Sequence, residues 1–523
     1  MPEPIPRLRP DDGAPLDERE RALHLCSRLA FGPAPGQVDQ VVTLGAETWL
    51  EDQLTPAPLP DGRLRETLDG LETMGMSMVD RYDLCVQPIR TGPGSSRSHI
   101  AGRGQVVDEL STYVLRRAIH GPRQAAEVLA EFWRNHLNVS FTKSFPAHAY
   151  LSSYELEVVR EHALGSFPAM LRASARHPAM LHYLDNHLSR RPPSDAELND
   201  IELKARQRTG SRSQGEDAAA IAAQRGLNEN YARELLELHT LGVDNGYDQD
   251  DVVAAAQALT GWTFDGGRLG SQRFSFDKAM HWNEGRRFLG FSLRKDKDDG
   301  PGQGERILEI LSEHKGTASF LAAKLVRYLV ADEPPEELVA KVAKAYLKHD
   351  GDVRAMVRAV VDHEAFWDRA NYRTKFRTPF EFVVAAVRVT GAEVEHTRGL
   401  TRALEEMGQP LYHCDDPTGY YDAAEHWLDP GVLASRWKLA LDLAANRVDG
   451  VRIPDAFFYE LPSELGPLAW MRELVAQVLP AGASSRTLAM LYEVVRREPA
   501  PDYAALGKEV LGLLLGSPEF QKQ

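Results

Sequence analysis

The chain has 523 residues, 43% apolar and 26% charged, enough to bury a sizeable core in two or three domains or in one large helical body. Its net charge of −15, with Lys and Arg scattered, excludes a general nucleic-acid or anionic-membrane binder, because neutralising phosphates needs clustered cations. Three dispersed cysteines, Cys26, Cys85 and Cys414, exclude a disulfide framework or zinc ribbon, and no apolar run reaches the roughly 18 residues of a transmembrane helix.

Residues 1–17 are proline-rich and polar, a loose arm without the apolar region of a secretory leader. As the sequence stands the protein is expected in the cytoplasm; a removed leader would make it periplasmic or exported. Residues 18–188 read as an N-terminal helical part. An amphipathic helix over 18–30 ends at Phe31-Gly32-Pro33, and 63–78 is helical by pattern. The Gly/Ser-rich stretch 91–104 reads as a flexible loop. Two helices follow over 106–139, broken at Gly121-Pro122. In the second, Val128, Leu129, Phe132, Trp133 and His136 share one face, so His136 points to the apolar side. A lone histidine there is more often a core residue than a ligand, and it is retained as a candidate beside that reading. A short helix from Pro178 ends in Asp185-Asn186, a cap or a pair facing the later Glu234 helix. Residues 189–217 form a polar insertion, disordered or lid-like, in which 195–208 suits a surface helix.

Residues 218–304 carry the densest pattern: LNENYARELLELHTLGVDNGYDQDDVVAAAQALTGWTF at 227–264. Asn228 or Asn230 can cap a first helix, and Gly242 suits its left-handed stop. At about 100° per residue, Asn230, Arg233, Glu234, Glu237 and Leu241 share one face, and Leu235, Leu236 and His239 lie opposite. Asp248 with Asp251 has capping-box form for a second helix, which halts near Gly261. Glutamates beside an arginine are commonly a salt-bridged surface, and the acidic turn lacks EF-hand spacing. The only strands expected form one small hairpin near 273–293, pairing 273–277 with 288–293 and projecting His281 toward the helix pair. Residues 305–523 are helical and pack as one body with the rest. Within them Lys324 sits in an apolar helix, needing an anionic partner if buried or snorkelling if not. Residues 413–427 read as an irregular, tyrosine-rich loop. The fold class expected is mainly α.

NENYARELLELHTLGV, followed by GY, an acidic helix start and ALTGW, resembles the core signature of the bacterial domain-of-unknown-function family 1800. LHLCSRLAFGP at 23–33, FWRNHLN at 132–138, HPAMLHYLDN at 177–186 and KFRTPFEFV at 375–383 fit in order. So do His281 with FLG at 288–290, ASFLAAKLVRYLVADEPP at 318–335, GQPLYH at 408–413 and SPEFQ at 517–521. The resemblance spans nearly the whole chain and implies no assigned chemistry. Family members are often exported and often accompany proteins resembling alkaline-phosphatase-fold sulfatases, which implies an envelope setting and a partner of that fold.

No P-loop, dinucleotide-binding or flavin signature occurs, nor GxSxG, HExxH or paired CxxC. The candidates for catalysis are Glu234, Glu237, His136 and His281. Asn230, Arg233, Lys324 and Trp262 are candidates for substrate binding, and Glu234, Glu237 and His136 for one divalent metal ion. The same groups suit metal-free acid–base work. The expected function is hydrolysis or a lyase reaction on a saccharide or cell-envelope substrate, metal-assisted in its concrete form. The alternative is a non-catalytic helical scaffold partnering an envelope enzyme, with the 413–427 loop as docking surface and the Asn230–Glu237 polar groups as a packing network.

Overall fold

The computed structural model describes residues 13–55, 62–86, 92–223, 226–243, 245–267, 269–459, 466–496 and 502–523. Most of the expected N-terminal arm lies outside them. The described chain is mainly α, with three two-stranded antiparallel pairs. None of its helices is long and apolar enough to cross a membrane. One contiguous apolar cluster runs from Ala22 to Phe520, so the first and last helices share a core.

Two helices sit at its centre. Gln124–His136 buries nearly its whole surface, including Glu127, Glu131, Arg134 and His136. Pro379–Thr390 is buried at every position and starts with a capping box between Thr378 and Glu381. Charges on such helices must be paired inside the protein. Glu127 therefore takes Arg117 and Arg160, and Glu155 takes Arg134. The 375–383 and 517–521 motifs meet here: Arg377 N–H donates to the Gln521 carbonyl, and Arg436 donates to Gln521 Oε1 at 3.0 Å.

Helix Glu18–Arg28, capped by an Asp17/Glu20 box, and the break at Gly121 match the sequence pattern. Three regions differ from it. Residues 92–104 are not a loop but the first half of helix Gly92–His120, because an established amphipathic helix extends cooperatively into a weak segment. In the insertion the surface helix expected over 195–208 is present as Asp195–Thr209, and what differs is a second helix, Arg212–Ala223, packed on it. Asp195–Thr209 buries no residue and is held by a Ser194/Glu197 capping box and the Lys204–Asp200 and Arg206–Glu202 pairs, which suffice for a polar helix. The expected pairing of 273–277 with 288–293 is also corrected. Phe274–Phe276 pairs with Trp262–Phe264, in register Trp262↔Phe276, while Arg286–Phe288 forms a tight hairpin with Phe291–Leu293. Cross-strand aromatic packing decides this, because Trp262 stacks edge-on against Phe274 at 5.2 Å.

Candidate functional site

The 227–242 segment begins as helix Asn230–Glu234 and widens into a π-helical turn over Leu235–Thr240. Thr240 Oγ1 reinforces the wide turn by donating to the Leu235 carbonyl at 2.6 Å. Such turns often mark functional places. Gly242 ends it at φ +87°, where a Cβ would lie 2.7 Å from the Phe320 ring. The cap differs from expectation: Glu229 holds the cap position, and Asn228 Oδ1 accepts from Asn230 N–H. The Asp248/Asp251 box is present.

Tyr231, Leu235, Leu236, His239 and Leu241 are buried, whereas Arg233, Glu234 and Glu237 are half-buried and Asn230 is exposed. Leu241 thus leaves the outer face expected for it, as the widened turn shifts the residues after it. On that outer face Arg233 pairs with Glu237 at 3.2 Å and donates to Gln249 at 2.7 Å. The Glu234 carboxylate makes no hydrogen bond or ion pair among the described residues. Burial, the Glu237 charge and the Asp416 charge raise its pKa above the ordinary value, with Arg233 partly offsetting them.

Asp416 arrives from the 413–427 loop, which the end of the 124–136 helix clamps. Asn138 Nδ2 donates to the carbonyls of Cys414 at 3.0 Å and Asp416 at 2.8 Å. Asn135 Nδ2 donates to the Tyr420 carbonyl, and its Oδ1 accepts from Tyr420 N–H. Gly419, at φ +78°, passes so close that a Cβ would meet the Asn135 carbonyl at 2.4 Å. Tyr183 donates to the Asp415 carbonyl at 2.9 Å, and its phenol pKa is raised by burial and by nearby acids including Glu234. Asn228 Nδ2 donates to the Asp185 carbonyl, while the Asp185 side chain pairs with Lys143 at 2.6 Å. Glu234 therefore lies within electrostatic reach of groups from two other segments, Asp416 and Tyr183. Asp416 and Tyr183 were not among the sequence candidates. Their signals, the polar ends of HYLDN and HCDDPTGY, were legible only as caps and a lining loop.

The other candidates go elsewhere. His136 Nε2 donates to the His239 carbonyl at 3.1 Å, on the inner side of the π turn, and its Nδ1 has no partner. Burial and the nearby Lys324 hold His136 neutral, and burial lowers His239 to about 3. Lys324 is half-buried, lies 5.6 Å from the Phe320 ring centre, and is lowered by burial to about 8. The helix itself thus separates His136 and Lys324 from the two glutamates. Among the described residues no three His, Cys, Asp or Glu side chains stand together as a metal site, so Glu234, Glu237 and His136 share no coordination point. Trp262 has no exposed surface and packs between Phe274 and Arg176 in the core. His281 does reach the end of the second helix, its Nδ1 2.8 Å from the Thr260 carbonyl, but it lies in the wall of a separate polar cleft, away from the glutamates.

A family model described as "Protein of unknown function (DUF1800)" matches residues 24–522. No curated protein and no solved structure matches the chain.

Proposed function

We propose, from the premise that the chain belongs to the DUF1800 family, that it is an enzyme working by proton transfer at Glu234, in a hydrolytic or lyase-like step on a hydroxyl-rich substrate such as a cell-envelope saccharide. One observation carries the reading: a half-buried carboxyl without a partner, its pKa pushed up, beside a second carboxylate from a distant loop. Carboxyl pairs in contrasting environments are what acid–base chemistry on glycosidic oxygens uses. Glu234 would hand its proton to the leaving oxygen, and Asp416 would orient or deprotonate the attacking group. Arg233 locks Glu237 and leaves Glu234 free. Glu234, Glu237 and Asp416 outnumber Arg233 here, which favours hydroxyl donors over polyanions.

Release of reducing ends from a panel of envelope polysaccharides tests this. Glu234→Gln is expected to lose about a hundredfold or more in turnover with thermal unfolding nearly unchanged. Undiminished turnover in Glu234→Gln would overturn it. The scaffold reading has its own support: Tyr421, 53% exposed, and Leu428, 49% exposed, stand on and beside the 413–427 loop. Co-expression with a sulfatase-fold partner tests it. A complex lost in Tyr421→Ala, together with an inert wild type, would favour the scaffold.

A further inference from the structure

The polar cleft around His281 has a volume of about 600 Å³ and shares no residue with the Glu234 site. Its walls are held rigidly. Trp282 N–H donates to Thr260 Oγ1 at 2.8 Å, and Asn283 Nδ2 donates to the Asp296 carbonyl at 2.9 Å and to Asp299 Oδ1 at 2.7 Å. Gln303 ties the carbonyls of Glu284 and Arg294 together, each at 2.8 Å.

Inside this frame some polar groups are already used and others are free. Arg191 is bound bidentately by Glu197, and Lys278 donates to the Asp298 carbonyl. Asp296 accepts from the N–H groups of Asp298 and Gly300. Lys295 and Lys297 are exposed and make no ion pair among the described residues. His281 is 3% exposed, and its Nδ1 lies 2.8 Å from the Thr260 carbonyl, an acceptor only. Nδ1 therefore carries the proton, and Nε2 is left as a bare, buried acceptor without a partner. An acceptor so placed costs free energy until something donates to it. Trp282, half-buried beside it, offers an aromatic surface.

A ligand that completes this cleft supplies a hydroxyl donor for Nε2, a flat face of C–H bonds for the indole, and one negative charge for two free ammonium groups. Four cations and three carboxylates line the cleft, and that small excess suits a monoanion rather than a polyanion. We propose that the cleft binds a uronic-acid unit of an oligosaccharide, the ring on Trp282, a hydroxyl donating to His281 Nε2 and the carboxylate on Lys295 and Lys297. This is a binding subsite, independent of chemistry at Glu234.

Calorimetric titration of the full-length protein with a galactose trimer carrying a single galacturonate unit and with the corresponding neutral galactose trimer tests it. The acidic trimer is expected to bind in preference to the neutral one. Trp282→Ala, and the double change Lys295→Gln with Lys297→Gln, are each expected to weaken it by about tenfold or more. The lysines are exposed, so the double variant leaves the fold intact even if Trp282→Ala does not. Glu234→Gln should bind like wild type, which separates this site from the proposed catalytic one. Absence of saturable binding, equal affinity for the two trimers, or unaltered affinity in the double lysine variant would overturn the assignment.

Discussion

Among the described residues two segments widen from α to π geometry, Glu155–Arg160 and Leu235–Thr240, and glutamates at or beside each meet opposite surroundings. Glu155 is fully enclosed. Arg134 grips both its oxygens, at 3.0 and 3.1 Å, and Tyr412 donates at 2.5 Å. Burial works to raise its pKa, but Arg134 outweighs it and the net shift is downward. Glu234 is half-open, unpaired and shifted upward. The same residue type at the same kind of helical distortion is structural cement in one place and an unpaired carboxyl with a raised pKa in the other. What differs is whether an arginine is supplied, and Arg233 is turned away to Glu237.

The largest expected effect breaks the cemented half. Arg134→Met leaves buried Glu155 with the longer Arg160 ion pair at 3.6 Å, removes the arginine partner of Glu131, and should cost about 3–5 kcal/mol in denaturant unfolding. Pairing it with Glu155→Gln should recover a substantial part. A loss of under about 1 kcal/mol would show that Glu155 is no more committed than Glu234.

Next comes acid. His24, His136, His177 and His239 are held neutral by burial, His177 and His239 at about 3. The unfolded chain binds more protons than the folded one between about 6.5 and those values. Stability therefore falls as pH drops below about 6.5, visible as a falling midpoint in thermal scans from pH 7 to 4. Glu234 works the other way: its folded pKa is raised, so its charge costs stability as pH rises above 4.5, the ordinary carboxyl value. Glu234→Gln should remove that component and leave the histidine-driven fall.

Lys324→Met probes the inner side of the same π turn. Lys324 is lowered from 10.5 to about 8 by burial, so the unfolded chain holds the extra proton between those values and wild-type stability rises with pH there. The variant should melt higher at pH 7 and lose that rise. Smallest is Arg233→Gln, a half-exposed pair worth at most about 1 kcal/mol. Its signature is electrostatic: without that cation the Glu234 pKa climbs further, and the basic limb of the pH–rate profile moves upward. A downward move would break the link between Arg233 and Glu234.

Much of the fold was legible in the residues themselves. The mainly-α class, the break at Gly121, the Asp248/Asp251 box, the Gly242 stop and the shared outer face of Arg233, Glu234 and Glu237 all follow from periodicity and capping, which act within one or two helical turns. Short-range rules could not show that Leu235–Thr240 widens to π, because both geometries bury nearly the same pattern. Nor could they show that Trp262–Phe264 takes Phe274–Phe276 as its partner, that His136 and His281 stay apart from the glutamates, or that Asp416 comes beside Glu234. Those depend on which distant surfaces meet. A helix face sets what a side chain can reach, but the charge beside it, and so its pKa, comes from chain far along the sequence that only tertiary packing brings near.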